Sequence, residues 1–114
     1  MREWYSGRMD SASATLEDGT VVVRVAGTLP APCFDVKLAA YAHDPCAAAD
    51  IQLGLYWRPR QAAWAEEPTP FTVHRAVDVR GMRNPSVRIY DANGFLDVSV
   101  RPAPSGSIAR DPAG

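Results

Sequence analysis

Hydrophobic and polar residues alternate along most of this chain, and this pattern constrains the fold more than any other feature. In segment 20–28, Val21, Val23 and Val25 occupy every second position. Successive side chains of a β-strand point to opposite faces of its sheet, so this period predicts a strand with one buried face. The same rule predicts strands at 34–41, 51–58, 71–79, 86–91 and 95–101.

Turn residues separate these segments. The sequences EDGT (17–20) and DANG (91–94) are typical of tight hairpins, because Gly19 and Gly94 can adopt a positive φ. The first hairpin implies a further short strand at 13–17. About seven short strands separated by turn signals indicate an all-β protein, an antiparallel β-sandwich or barrel.

Length and composition indicate one domain. A chain of 114 residues fits a single domain with its own core. We predict an N-terminal arm over 1–12, a sandwich domain over 13–101 and a disordered tail over 102–114. The tail is rich in Pro, Gly and Ser, so it buries too little apolar surface to offset the entropy lost on ordering.

The charge balance bears on the class of partner. A formal net charge of −1 gives no reason to expect nucleic acid or an anionic membrane as a partner, since both favour basic surfaces. The first residues, MREWYSGRMD, contain no apolar signal segment. This favours a cytoplasmic protein, or an exported one if a signal segment has been removed. No cofactor is expected, and the oligomeric state stays open.

Two cysteines raise three chemical possibilities. If 34–42 is one extended strand, its ends lie roughly 30 Å apart, which disfavours a disulfide between Cys33 and Cys46 unless the strand stops near Ala39 and the chain doubles back. His43, Asp44 and Cys46 are only half of a zinc-binding unit, and a polar turn explains them better. We therefore expect Cys33 to be an unpaired residue at the start of a strand.

A nucleophilic cysteine would also need a base, because the thiolate is the reactive form. His43 and His74 are the two candidates, and His74 falls within a predicted strand, on the face opposite Val73. The sequence shows no catalytic triad, so we expect a protein that is not an enzyme.

The connection 57–71 is the strongest candidate for a binding surface. It is longer than a hairpin requires, and long loops on a rigid scaffold often carry function. Trp57, Arg58, Arg60 and Trp64 are of the residue types enriched at interface hot spots. Trp57 continues the apolar face of its strand, whereas Trp64 either faces solvent or folds back on the sandwich. We expect Trp64 to be buried by a protein partner whose acidic groups pair with Arg58 or Arg60. The N-terminal Trp4 and Tyr5 are a second possible patch.

Two motifs carry a resemblance to a known family. The segments GTLPAPCFDVKL (27–38) and EPTPFTVHRAVDV (67–79) resemble small bacterial immunoglobulin-like β-sandwich proteins of unassigned function. In that family a G-x-LP-x-PC strand start precedes a PTPF strand start, and the resemblance implies an immunoglobulin-like sandwich. The family has a second cysteine shortly before PTPF, where this chain has Ala65, Glu66 and Glu67. Its members are usually exported.

The function expected from the sequence is a non-catalytic binding or interaction module. A small sandwich is also similar in architecture to bacterial intracellular proteinase inhibitors, so an inhibitor is the alternative. A thiol or metal-binding protein is the third possibility.

Overall fold

A computed structural model describes residues 3–41 and 49–102. Within these residues the chain forms strands and connections, with no helix, and so has no helix that could cross a membrane. The strands are β1 (Tyr5–Ser6), β2 (Ser11–Glu17), β3 (Thr20–Leu29), β4 (Phe34–Ala40), β5 (Ile51–Pro59), β6 (Thr69–Asp78), β7 (Val87–Asp91), β8 (Gly94–Val98) and β9 (Val100–Pro102). They form two packed sheets, so the all-β prediction is confirmed.

Sheet 1 is built around β5. One edge of β5 pairs with β4, and the other edge pairs first with β7 and then with β1. Strand β8 follows β7 through a hairpin. Sheet 2 has the order β6-β3-β2-β9.

The prediction of purely antiparallel sheets is wrong. Strands β5 and β7 pair in parallel, and so do β2 and β9. The chain leaves β5, forms β6 in the opposite sheet and returns to sheet 1 at β7, which gives the long crossover that parallel strands require. Alternation specifies which residues face inward but not the direction of a neighbouring strand.

Both predicted hairpins are present. Strands β2 and β3 are joined by Asp18 and Gly19, whose φ angles of 56° and 79° lie in the left-handed region. Strands β7 and β8 are joined by a turn that ends at Gly94, with a φ of 127°. Glycine suits both turn positions because it adopts a positive φ without steric cost.

The core lies between the sheets, at the positions that alternation predicts. Val21, Val23 and Val25 of β3 are fully buried and face Leu55 and Ile89 of sheet 1 within one hydrophobic cluster. Each such side chain contributes roughly 1.5–3 kcal/mol through removal from water. This burial stabilises the scaffold on which the surface connections are held.

The chain changes sheets near each end of the described region. It crosses from β1 to β2 after Gly7, whose N–H donates to the Leu55 carbonyl at 2.9 Å. It crosses again at Ser99, which separates β8 from β9. The predicted arm over 1–12 thus includes β1 and the first residues of β2, whereas 103–114 of the predicted tail lie outside the described residues.

Candidate functional site

The connection between β5 and β6 closes one end of the sandwich. Its residues 60–68, the end segment, are tied to the connection between β3 and β4. The Arg60 N–H donates to the Cys33 carbonyl and the Glu67 N–H donates to the Pro30 carbonyl, each at 2.8 Å. These bonds hold the end segment near both of its ends, so a nine-residue span without a strand acquires a fixed position.

Four aromatic rings form a row that begins in the end segment and runs into the sandwich. Trp64 lies edge-to-face on Phe34 with centroids 4.9 Å apart, and Phe34 contacts Trp57 in the same way at 6.1 Å. Trp57 in turn lies 6.5 Å from Phe71 of β6. Edge-to-face pairs of this kind each contribute about 0.5–1.5 kcal/mol beyond area burial. Trp64 therefore folds back onto the sandwich, yet it keeps 39% of its surface exposed.

Proline positions explain how this end is built. Strand β3 ends at Leu29, and β4 begins at Phe34. Pro30 and Pro32 lie between them and lack the N–H that sheet pairing needs, so the chain leaves sheet 2 and crosses to sheet 1. Phe34 is then the first inward residue of β4 and is 7% exposed. We call the end segment, together with Pro30, Cys33, Phe34 and Asp35, the end cap.

The two predicted arginines share one carboxylate of the same chain. Arg60 Nη1 lies 2.9 Å from Asp35 Oδ1, and Arg58 Nε lies 3.9 Å from Asp35 Oδ2. Arg60 also donates to the Pro32 carbonyl at 3.3 Å. Sequence reasoning missed Asp35, although alternation places it on the same outer face as Arg58, opposite in register. Its ion pairs link β4, β5 and the end segment.

Trp4 joins this site from the N-terminal side. Lys37 Nζ and the Arg58 guanidinium carbon each lie 4.2 Å from the centroid of the Trp4 ring. Cations at this distance from an indole are attracted by its quadrupole. The patch that the sequence indicated at the N-terminus is thus continuous with the end cap through Arg58.

Charged side chains without an ion pair lie on the end segment and on β4. In the described part of the chain, ion pairs involve Asp35, Asp78 and Asp97 with arginines, and not Lys37, Glu66 or Glu67. Both glutamates are exposed, as is Lys37. The end segment therefore offers an acidic pair shortly after Trp64, and β4 offers a lysine on the outer face of sheet 1.

The outer face of sheet 1 carries further aromatic residues. Tyr41 and Tyr90 stack with centroids 3.9 Å apart and planes inclined by 15°. Tyr56 lies over Gly54, where an added Cβ would come within 2.5 Å of the Tyr56 hydroxyl oxygen. Burial, and secondarily the neighbouring Tyr41, raise the pKa of Tyr56 above its usual value. On this face Tyr41 and Tyr90 thus cover each other, and Tyr56 covers Gly54.

Arginines elsewhere are paired in a similar way. Arg88 makes two hydrogen bonds to Asp97, at 2.7 and 3.1 Å, and lies 3.8 Å from the Phe95 ring centroid. Its cationic hydrogen bonds hold the pKa of Asp97 below the usual value. Arg80 pairs with Asp78 at 2.7 Å. Each of these two arginines is thus paired with an aspartate of the same chain.

Cys33 and His74 are the described residues that the sequence raised for nucleophilic chemistry. Cys33 is a free, half-buried thiol, and His74 is exposed within β6. In residues 3–41 and 49–102 no three metal-ligating side chains converge. The candidate ligands His43, Asp44 and Cys46 lie outside the described residues.

Comparison of the chain with protein-family models, curated proteins and solved structures gives no match. Its functional assignment therefore depends on the geometry of the site.

Proposed function

We propose that this chain is a non-catalytic binding module and that its contact surface for a protein partner is the end cap. One observation carries the proposal. Trp64 is 39% exposed while its ring is packed against Phe34 and its segment is held by backbone hydrogen bonds. A large aromatic side chain that is already ordered loses little conformational entropy when a partner buries it.

The electrostatic part of the proposal differs from the expectation for Arg58 and Arg60. Both arginines already pair with Asp35, so their role is to fix the scaffold under Trp64. The charges of the end segment that make no ion pair within the described residues are Glu66 and Glu67. The partner that fits this end of the cap therefore has basic groups beside a recess for the indole.

The cytoplasm is the compartment that we propose for this binding. A free thiol at Cys33 is compatible with a reducing compartment. A relationship to immunoglobulin-like sandwiches is part of the same proposal, supported by the two packed sheets and by the motifs at 27–38 and 67–79.

A matched pair of variants tests the binding proposal. Trp64→Ser removes the exposed indole, whereas Leu16→Ser removes a side chain of similar exposure, 37%, from β2. Leu16 pairs with Val21, near the start of β3, about 26 Å along that strand from Leu29 at the end cap. The measurement is recovery of partner proteins with tagged protein from the source cells.

We expect Trp64→Ser to lower partner recovery about tenfold or more, as for a hot-spot residue, and Leu16→Ser to leave it unchanged. Equal recovery with both variants would show that the end cap is not the contact surface.

A further inference from the structure

We propose that the end cap, together with the adjacent Trp4, Lys37 and Arg58, binds a second copy of this chain and forms a two-fold symmetric dimer. This inference rests on the proposed function, since it names the partner of the same surface. In the dimer, Glu66 and Glu67 of each copy meet Lys37 and the Trp4–Arg58 surface of the other. The two Trp64 rings lie between these charged contacts.

Charges of both signs lie on the end cap and on the outer face of β4 and β5 beside it. Trp4 contacts Arg58, Arg58 and Arg60 both pair with Asp35, and Arg60 begins the end segment that carries Trp64. On the other side of the cap, Glu67 is bonded to Pro30. In chain order, Trp64 thus lies between Arg60, which adjoins the Trp4–Arg58 surface through Asp35, and the acidic pair Glu66 and Glu67.

Such a surface is complementary to itself. In a two-fold interface, a contact between one residue of the first copy and a second residue of the other copy is repeated with the two copies exchanged. Every contact therefore occurs twice. An acidic side and a basic side then meet their opposites at both ends of the interface. A partner that supplied basic groups alone would leave Lys37 opposite a like charge or in solvent.

The remaining charges of the chain permit this association. The formal net charge is −1, so two copies repel each other only weakly. Lys37, Glu66 and Glu67 are exposed and have no ion pair within the described residues, so binding breaks no such pair. The end segment is also already ordered by its hydrogen bonds to Pro30 and Cys33.

Charge reversal in trans tests the dimer. Lys37→Glu places like charges at both contacts of its own homodimer, and so does the double variant Glu66→Lys with Glu67→Lys. In an equimolar mixture, the heterodimer has one native contact and one reversed contact, both attractive. Glu17→Lys, an exposed reversal on β2 at the opposite end of sheet 2, is the control.

The measurement is sedimentation velocity of the full chain from about 5 to about 500 µM, at about 50 mM and 500 mM NaCl. We expect a dimer that weakens at the higher salt, a rise in Kd of about tenfold or more for each reversal variant, and recovery of dimer in the mixture. The Glu17→Lys protein should match the unsubstituted chain. If a reversal variant loses its β-sheet circular dichroism, Lys37→Gln or Glu66→Gln with Glu67→Gln replaces it, with a smaller rise expected.

Two results overturn the inference: a monomer at every concentration, or a dimer that is indifferent to these reversals. If the protein is monomeric but Trp64→Ser still removes a different protein from the recovered partners, the proposed function stands and the second copy is excluded as its partner. Loss of both effects overturns both proposals.

Discussion

The contact between Trp64 and Phe34 predicts a measurable coupling energy. Phe34→Leu removes a ring that contacts both Trp64 and Trp57, and Trp64→Leu removes only the outer ring. The Phe34–Trp64 pair has centroids 4.9 Å apart and planes at 83°, the favoured edge-to-face geometry. A pair of this kind contributes about 0.5–1.5 kcal/mol beyond area burial. The double variant should therefore be about 1 kcal/mol less destabilised than the sum of the two single variants.

Urea unfolding of the four proteins, followed by far-ultraviolet circular dichroism, measures this coupling in the free energy of unfolding. A control cycle pairs Trp64→Leu with Leu16→Ala, which lie at opposite ends of the sandwich and should add within about 0.3–0.5 kcal/mol. A Phe34–Trp64 coupling no larger than that of the control cycle would refute a docked Trp64.

Three further predictions concern the core and the outer face of sheet 1. Leu55→Ala, at a fully buried position of β5, should lower the free energy of unfolding by about 2–5 kcal/mol in the same urea assay, and a loss under about 1 kcal/mol would contradict its place in the core. Arg88→Gln should raise the lowered pKa of Asp97 towards its usual value in an NMR titration. The stability that this pair contributes is present above the ordinary aspartate pKa of 3.8 and is lost as pH falls through the lowered pKa, so an unchanged Asp97 pKa would argue against the pair. Gly54→Ala should displace the Tyr56 ring and return its raised pKa towards 10.0, measured by ultraviolet titration. In the parent protein the folded state holds the Tyr56 proton more tightly than the unfolded state does. The resulting contribution to the free energy of unfolding is fully present below pH 10.0 and is lost as pH rises through the raised pKa. An unaltered tyrosine titration would count against the packing of Tyr56 on Gly54.

Much of the fold follows from alternation and turn chemistry. The inward positions of β3 and the two hairpins could be predicted because each depends on residues that are near in sequence. Strand direction could not, because the pairing of β5 with β7 joins segments separated by all of β6. Strand β1 was missed because two residues are too few to show a period.

The predicted strand at 95–101 shows a second limit of local patterns. Val98 and Val100 keep the same alternation, yet the chain passes from sheet 1 to sheet 2 at Ser99 between them. Both strands face the same core, so the side-chain pattern is unchanged where the backbone partner changes. Strand β8 pairs with β7 and strand β9 pairs with β2, and only these pairings distinguish the two strands.

The candidate site was partly foreseeable. The length and composition of 57–71 predicted the connection that carries the candidate site, and alternation placed Trp57 towards the core. The capture of both arginines by Asp35 depends on the register of β4 against β5, which the sequence does not state. The approach of Trp4 to Arg58 depends likewise on the pairing of β1 with β5.

The most direct test of the central claim is site-specific photo-crosslinking in the source cells. A benzophenone side chain placed at the exposed Ala65, beside Trp64, should give a defined crosslinked protein band, and the size of that band distinguishes a second copy from another partner. The same group at the exposed Ser13 of β2 should give none. Equal crosslinking at both positions, or crosslinking at Ser13 alone, would contradict the claim that the end cap is the binding surface.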